Sequence, residues 1–148
     1  MITFQEETLE QIRDEEFEDI LKLHSKELTE FSFQLNPNWD TYQQLEDIDA
    51  LHIVTARDNE KLVGYYVSII TTHHHYKDAL IAENDLHYIL PEYRKGWLGY
   101  KFLKQAIQFL KDRNVDIILH TMKADHSYLP ITKRLGFKLT DYKLVMEV

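Results

Sequence analysis

Two glycines in a short basic segment are the first residues whose types and spacing suggest chemistry. Gly96 and Gly99 lie between a run of residues that predicts a strand and a run that predicts a helix. Arg94 and Lys95 precede them and add positive charge. The first N–H groups of a helix lack partners within the helix, and the helix dipole is positive at that end. The segment therefore predicts a cradle for a small anion such as a phosphate, although a glycine at any strand-to-helix turn would give a similar pattern.

Acidic side chains on the preceding run supply candidates for proton transfer. Apolar and polar residues alternate over residues 80–90, and this period of two predicts a strand with Glu83, Asp85 and His87 on one face. A carboxylate whose pKa is raised by partial burial can accept a proton from a substrate at neutral pH. We favour Asp85 and then Glu83 as this base, with His87 as a third candidate. The alternative is a set of polar side chains that face solvent.

Three consecutive histidines, at positions 73–75, suggest a metal site. However, consecutive residues of an extended segment point in opposite directions, and no carboxylate pattern completes a known set of ligands. We therefore predict that the protein holds no functional metal. The same loop can instead contact a substrate through His75 and Tyr76, or it can be an inert polar loop.

Composition excludes several classes of protein. The chain has 148 residues, no cysteine and a formal charge of −8, from 25 acidic and 17 basic side chains. This length suits one domain, so we predict a single domain over residues 1–148. The lack of cysteine excludes disulfides, thiolate zinc sites and a cysteine nucleophile, and it is typical of a reducing compartment. The acidic balance argues against direct binding of DNA or RNA.

No segment has the pattern of a targeting or membrane-spanning sequence. The N-terminal residues have neither a basic start nor an apolar run, and no stretch approaches the roughly 18 apolar residues of a membrane span. We therefore predict a cytoplasmic location and no membrane partner.

Hydrophobic periodicity and turn residues predict the order of helices and strands. A strand, a helix and a second strand follow one another from residue 80 to residue 120, which implies a right-handed parallel crossover. Trp39 and Tyr42, beside a predicted turn, are expected to be exposed, which is compatible with a homodimer. Helices are predicted over residues 15–31, 41–46, 97–113 and 126–135, and strands over residues 51–57, 61–70, 80–90, 115–120 and 137–148.

This order of elements and two short motifs resemble the GNAT superfamily of N-acyltransferases. In that family a strand, a turn similar to Pro-Glu-Tyr-Arg, a glycine-bearing loop and a long helix bind coenzyme A, and a strand, a short helix and a Leu-Gly-Phe motif follow. Here the motifs lie in residues 86–94 and 133–137, within a similarity that spans about residues 50–148. The finer resemblance is to short phage-encoded members. The resemblance implies an α/β protein with a three-layer GNAT-like fold, in which helices flank a central mixed, mostly antiparallel sheet.

The resemblance also implies a function, that of an N-acetyltransferase. Such an enzyme moves an acetyl group from acetyl-CoA to a primary amine of a small molecule or a protein, by direct attack in a ternary complex. It needs a base for the ammonium proton. Lys133 and Arg134, near the end of the last predicted helix, can reach the adenosine phosphates of the cofactor, or they are favourable charges at a helix C-terminus. Backbone groups of Tyr88, Ile89 and Leu90 are expected to bind the pantetheine arm, and the amides of Lys95, Gly96, Trp97, Leu98, Gly99 and Tyr100 the diphosphate, beside Arg94.

Two positions depart from the pattern of the family. Trp97 replaces the first glycine of the family's loop, and Gly96 comes one residue early. The tyrosine that the family often uses as an acid corresponds to Thr132, whose hydroxyl is a far poorer acid. Tyr128, one helical turn earlier, or Tyr142 can substitute as the acid, unless both are ordinary core or surface residues.

These departures keep a second class of function open. The protein can instead be a non-catalytic module that binds coenzyme A or another protein, for example a phage protein that acts on a host factor. The acidic first helix is compatible with a basic partner. Release of free thiol from acetyl-CoA would favour the enzyme over the module.

Overall fold

A five-stranded sheet forms the centre of the protein, whose computed structural model describes residues 1–29 and 31–148. The strands are β1 (Ile2–Glu6), β2 (Leu51–Asp58), β3 (Lys61–Thr72), β4 (Leu80–Ile89) and β5 (Ile117–Leu119). They lie side by side in chain order. The first four pair antiparallel, whereas β4 and β5 pair in parallel. The prediction of a mixed, mostly antiparallel sheet is confirmed.

Helices connect these strands, and local sequence explains where several of them begin and end. The Asp14 side chain accepts a hydrogen bond from the N–H of Phe17, and that of Asn38 accepts one from the N–H of Thr41, so both residues cap a helix start. Asn114, with a φ of 60°, follows a helix end in the left-handed conformation. The helices are α1 (Leu9–Ile12), α2 (Glu15–Leu28), α3 (Trp39–Asp47), α4 (Leu98–Asp112) and α5 (Leu129–Arg134), with 3-10 turns at Pro91–Tyr93 and Ala124–His126.

Two adjacent tyrosines show that helices cover both faces of the sheet. Tyr65 and Tyr66 of β3 are both fully buried, although neighbouring residues of a strand point to opposite faces. Tyr65 packs against Phe17 of α2, with ring centroids 5.2 Å apart. On the other face, His87 of β4 packs against both Tyr66 and Phe102 of α4. The sheet is therefore the middle of three layers, as the sequence predicts.

The N-terminal part of the fold was only partly predictable from periodicity. The helix expected over residues 15–31 is present but ends at Leu28. Strand β1 and the short helix α1 were missed, because five residues with three polar side chains give little periodic signal. None of the described helices has the length and apolar character needed to cross a membrane.

The C-terminal part of the chain departs from the prediction. Residues 137–148 form no strand, and the side chains of Tyr142 and Leu144 are 85% and 92% exposed. Strand β5 is shorter than the predicted strand over residues 115–120, and its residues Ile117 and Leu119 are exposed. Within the described sheet β5 pairs with β4 along three residue pairs. Periodicity identifies side chains that suit a core, but it does not show whether a partner strand lies within reach.

Candidate functional site

A β-bulge interrupts β4 at Asp85. Ser68 of β3 pairs with Asn84 and Val67 pairs with Leu86, so Asp85 has no partner in this ladder. An extra residue on one strand reverses the faces to which the following side chains point. The alternation that the sequence shows over residues 80–90 is therefore broken in its middle.

The bulge separates His87 from the two carboxylates. His87 lies on the face covered by α4, with its ring centroid 6.1 Å from that of Phe102. On the opposite face, the carboxylate of Asp85 accepts a hydrogen bond from the Tyr42 hydroxyl of α3. Glu83, before the bulge, is exposed. The prediction that Glu83, Asp85 and His87 share one face is wrong, because hydrophobic alternation cannot reveal an inserted residue.

Trp39 and Tyr42 of α3 belong to the wall of this site. Both are half-buried, with ring centroids 5.7 Å apart, and the Trp39 ring also packs against Phe17. Burial, and then the hydrogen bond to Asp85, raises the pKa of the Tyr42 hydroxyl, so this group remains a donor. The prediction that the two rings are exposed is wrong, and it no longer supports a homodimer.

Strands β4 and β5 part after their third residue pair, which joins Glu83 to Leu119. The buried side chain of Asn84 then holds the two segments together. Its Oδ1 accepts a hydrogen bond from the N–H of Thr121 at 2.6 Å, and its Nδ2 donates to the Thr121 carbonyl at 3.0 Å. Beyond Asn84, the edge of β4 pairs with no strand of the described sheet, and we call the space along this edge the gap.

Backbone groups of β4 face this gap. The N–H of Leu90 donates to the carbonyl of Val63 on β3 at 2.9 Å. Because backbone groups alternate along an antiparallel ladder, those of Ile89 point away from β3. The Ile89 carbonyl accepts a hydrogen bond from Arg94 Nε at 2.8 Å. The N–H of Ile89 is then the backbone group of this residue that remains for a ligand. Among Tyr88, Ile89 and Leu90, the residues expected to bind a pantetheine arm, Ile89 is thus the one whose N–H faces the gap.

A buried cluster of rings surrounds the Tyr128 hydroxyl. Its oxygen lies 2.7 Å from His87 Nδ1 and 2.7 Å from His120 Nε2. The Nδ1 of His120 lies 3.3 Å from the hydroxyl of Tyr66. Burial lowers the pKa of His87 to about 3 and that of His120 to about 4, so both rings are neutral at pH 7. Burial raises the pKa of Tyr128, so its hydroxyl keeps its proton.

Because the Tyr128 hydroxyl has one proton, its hydrogen bonds to His87 and His120 must run in opposite directions. The hydroxyl donates to one neutral ring and accepts an N–H from the other. The Nε2 of His87 is buried without a hydrogen-bond partner in the described structure, and an unpaired N–H is rarer in proteins than an unpaired acceptor. This favours a proton on Nδ1 of His87. His87 then donates to Tyr128, Tyr128 donates to His120, and the Nδ1–H of His120 faces Tyr66.

The loop before α4 presents unpaired backbone N–H groups. Gly96 has a φ of 71°, in the left-handed region that glycine adopts most readily. Trp97 precedes the first helical residue and gives the helix no side-chain hydrogen bond. The N–H groups of Leu98, Gly99 and Tyr100 therefore lack a helical partner or a cap, and they can bind an anion.

The Arg94 guanidinium is already engaged by α2. Both of its terminal nitrogens bind the carboxylate of Glu27, with Nη2 2.8 Å from Oε2. The Tyr88 hydroxyl also donates to Glu27, at 2.7 Å, and the Tyr88 ring lies 4.9 Å from Arg94 Cζ. Arg94 above all, together with Tyr88, lowers the pKa of Glu27 to about 2. A contact between the Arg94 side chain and a phosphate would therefore compete with an existing ion pair.

Other basic residues lie beside the loop. The Arg134 guanidinium lies over the rings of Trp97 and Tyr100, at 4.9 Å and 5.7 Å from their centroids. Lys95 and Lys133 are exposed, and neither takes part in the ion pairs of the described residues. The charge available to a phosphate here thus comes from Lys95, Lys133 and Arg134.

The loop between β3 and β4 lies at some distance from the bulge. His75 and Tyr76 are exposed, and they precede the first residue of β4, which is five residues before Asp85. Five strand residues span about 17 Å. The structure therefore does not bring these side chains next to Asp85. No three His, Cys, Asp or Glu side chains among the described residues are grouped so that they could hold a metal ion.

A family model decides the classification of the chain. Residues 9–137 match the model of the acetyltransferase (GNAT) family, which is most of the chain. The chain belongs to the GNAT acetyltransferase family. A comparison with curated protein sequences finds no match.

Solved structures share the fold over nearly the whole chain. A transcriptional regulator from Bacillus halodurans C-125 is 18% identical, with a TM-score of 0.76 and coverage of 100% of both chains. A predicted acetyltransferase from Clostridium acetobutylicum, solved with acetyl-CoA, is 15% identical, with a TM-score of 0.68 over 99% of this chain and 96% of that one. The ribosomal-protein-alanine N-acetyltransferase from Brucella melitensis biovar Abortus 2308 is 11% identical, with a TM-score of 0.74 over 100% and 98%. At these identities the similarity shows the fold.

Sequence reasoning missed several residues that the structure brings to the site. Asn84 gave a signal, because it is a polar residue at a position where the strand pattern calls for an apolar one. His120, at the end of a predicted strand, and Glu27, on the polar side of a helix, gave none. Arg94 is 67 residues from Glu27 along the chain, and Tyr128 is 8 residues from His120 but lies beyond a loop without a periodic pattern, so only tertiary structure shows the two contacts.

Proposed function

We propose that residues 1–148 form one domain that transfers an acetyl group from acetyl-CoA to a primary amine of a small molecule or a protein. The observation that carries this proposal is the parting of β4 from β5 after Glu83, beside the uncapped start of α4. A gap with backbone donors and a helix N-terminus together suit a long chain that ends in a diphosphate.

Three parts of the site fit acetyl-CoA, which supplies the acetyl group as a thioester. The N–H groups of Leu98, Gly99 and Tyr100 bind the diphosphate in this proposal. The side chains of Lys95, Lys133 and Arg134 add positive charge beside it. The N–H of Ile89 binds the pantetheine arm in the gap. The amides survive the replacement of a loop glycine by Trp97, because every residue other than proline keeps its N–H.

Asp85 is the residue to which we assign the base. The substrate ammonium must lose a proton before its nitrogen can attack the thioester carbonyl, and Asp85 lies at the bulge with its carboxylate bound to the Tyr42 hydroxyl. One proton passes to Asp85, directly or through water, and the neutral nitrogen then forms a bond to the carbonyl carbon. As the carbon–sulfur bond breaks, the nitrogen gives its second proton to water and becomes the amide. Glu83, two residues earlier on the same side of the sheet, is the second candidate.

Tyr128 is the residue to which we assign the acid that protonates the leaving thiolate. Its raised pKa keeps the hydroxyl protonated, and in this role its proton turns from His120 Nε2 to the thiolate while His87 still donates to the hydroxyl oxygen. The alternatives suit this role less. Thr132 is buried and its hydroxyl donates to the Leu129 carbonyl, while Tyr142 is 85% exposed in the C-terminal segment.

The resemblance to phage-encoded members and the cytoplasmic location stay predictions, and so does the contact of His75 and Tyr76 with a substrate. The homodimer also stays a prediction, which the half-buried rings of Trp39 and Tyr42 do not support.

A thermal melt with acetyl-CoA tests the proposal, with ATP and NAD at equal concentration as anion controls. A ligand at a hundred times its Kd stabilises the fold by about 2.7 kcal/mol, which is readily seen in a melt. A shift with acetyl-CoA alone, followed by thiol release that needs an added amine and is lost in Asp85→Asn, supports the transferase. A specific shift without thiol release under any amine would support the non-catalytic module. No shift, or equal shifts with all three ligands, would overturn the transferase and favour a module that binds another protein.

A further inference from the structure

A cavity of about 270 Å³ lies between the sheet and the helices α1 to α3. It is on the face of the sheet opposite α4. Phe17 of α2 and Trp39 of α3 form its sides, and Val67 and Leu86 of the sheet form its floor. Its walls are thus apolar and largely aromatic, as in most sites for small molecules.

The rim of the cavity is also apolar. Phe31, Phe33 and Leu35, in the segment between α2 and α3, line the cavity and are 49%, 73% and 45% exposed. Exposed apolar side chains that surround a cavity mark a binding site more often than chance exposure does. Apart from the Trp39 indole and the Tyr42 hydroxyl of α3, the polar side chains of the lining lie at the end of α2 and in this segment, and Ser25 and Thr29 pair with each other at 3.1 Å.

One end of the cavity reaches the β4 bulge. Tyr42 lines the cavity and its hydroxyl donates to Asp85, and the floor residue Leu86 directly follows Asp85. Among the described residues, none of the ion pairs involves Asp85 or Glu83. A ligand in the cavity therefore has apolar walls around its body, and the carboxylate of Asp85, next to the lining residues Tyr42 and Leu86, can attract a cation at this end.

We propose that this cavity is the acceptor pocket, and that it takes a small primary amine whose body is a compact aromatic or branched aliphatic group. This assignment rests on the proposed transferase function. The ammonium group lies at Asp85, where the base is needed, and the apolar body packs between Phe17, Trp39 and Leu86.

The volume and the lining define the chemical class further. The cavity lies just below the range of about 300–1,000 Å³ that holds drug-sized ligands, so it suits one ring with a short chain. A heavily hydroxylated amine would lose hydrogen bonds to water that these walls do not replace. Amino sugars are therefore excluded as preferred acceptors.

Tryptophan fluorescence reports on the pocket directly, because the chain has two tryptophans and only Trp39 lines the cavity. In the variant Trp97→Phe, Trp39 is the remaining tryptophan. Titration with 2-phenylethylamine, without acetyl-CoA, should change its emission with saturation. 2-Phenylethanol, which lacks the charge, and glucosamine, which lacks the apolar body, should each bind at least tenfold more weakly.

A pair of variants on α2 tests the location. Ser25 lines the cavity and Lys26 is exposed outside it. In the Trp97→Phe background, Ser25→Phe should fill the cavity and abolish the saturable change, while Lys26→Phe should leave it intact. Absence of a saturable change, equal affinity for glucosamine, or unaltered binding in Ser25→Phe would overturn the proposal.

The acetyl-CoA melt separates this proposal from the proposed transferase. Binding of 2-phenylethylamine without an acetyl-CoA shift would support the amine pocket and overturn the proposed acetyl transfer. An acetyl-CoA shift without amine binding would support the transferase and overturn the proposal that its acceptor is an apolar amine.

Discussion

The side-chain amide of Asn84 bonds to both the N–H and the carbonyl of Thr121, at 2.6 Å and 3.0 Å. One side chain thereby replaces the backbone pairing that ends one residue earlier, between Glu83 and Leu119. The arrangement lets β4 and β5 separate without leaving polar backbone groups of Thr121 unpaired at the point of separation. The gap of the proposed cofactor site begins there.

Replacement of Asn84 by alanine should therefore loosen the separation point. Both hydrogen bonds of Thr121 are lost, at a cost of about 1–3 kcal/mol in the free energy of unfolding. Urea denaturation measures the loss. Thr121→Ala is the matched control, since it keeps both backbone partners of Asn84, and it should cost much less. Equal losses in the two variants would show that the amide does not hold the strands.

Replacement of Glu27 by glutamine should release Arg94 for the cofactor. The carboxylate binds both terminal nitrogens of Arg94, so its neutralisation weakens a contact that competes with phosphate. We expect acetyl-CoA to bind several-fold more tightly, as measured by calorimetry. Glu92→Gln, at an exposed acid beside the same loop, makes the same change in net charge. A similar gain in Glu92→Gln would point to general electrostatics instead of this ion pair.

The sequence predicted the elements around the site that follow from the order of residues within one segment. It did not predict the features that depend on contacts between distant segments. The glycine loop, its helix and the preceding strand are readable because hydrophobic period and turn residues are local signals. The bulge at Asp85 is not, because a strand with one inserted residue has nearly the same composition as a regular strand. The prediction of a final strand over residues 137–148 is wrong, because a strand needs a partner edge and periodicity does not show whether one is within reach.

Acid should destabilise the fold between about pH 6.5 and pH 4. Burial is the first cause of a lowered pKa in His24, His52, His87 and His120, to about 4, 4, 3 and 4. Below the ordinary value of about 6.5, the unfolded chain binds protons that the folded protein does not, so the free energy of unfolding falls as pH falls. Each group contributes up to about 1.4 kcal/mol per pH unit.

Urea denaturation at several pH values measures this slope. His87→Gln removes one of the four groups and keeps a side chain that can bond to Tyr128, so its slope should be shallower. His75→Gln changes an exposed histidine and should leave the slope as it is. A wild-type slope that is flat over this window would contradict the assignment of neutral, buried rings.

The two loop glycines should respond differently to alanine. Gly96 has a φ of 71°, so Gly96→Ala forces a side chain into the left-handed region, at a cost of about 1–2 kcal/mol in stability. A Cβ at Gly99 would meet Ile89 and Ile131 at the ordinary distances of 3.8 Å and 3.9 Å. Gly99→Ala should therefore keep its melting temperature without ligand. It should lose part of the acetyl-CoA shift, because a methyl group at position 99 keeps the diphosphate away from the backbone N–H groups. A full shift in Gly99→Ala would show that the diphosphate lies elsewhere.

Removal of the Tyr128 hydroxyl should slow the proposed reaction. A general acid contributes about 10²–10⁴-fold to a rate, so Tyr128→Phe should lower kcat by at least tenfold if the hydroxyl protonates the thiolate. The phenyl ring retains the packing against His87 and His120, and acetyl-CoA affinity in a melt or by calorimetry should stay the same. Tyr142→Phe, at the exposed alternative tyrosine, should keep full activity. A normal kcat in Tyr128→Phe would mean that the thiolate leaves without help from this residue, and parallel losses of kcat and acetyl-CoA binding would assign Tyr128 to the structure of the site instead of to proton transfer.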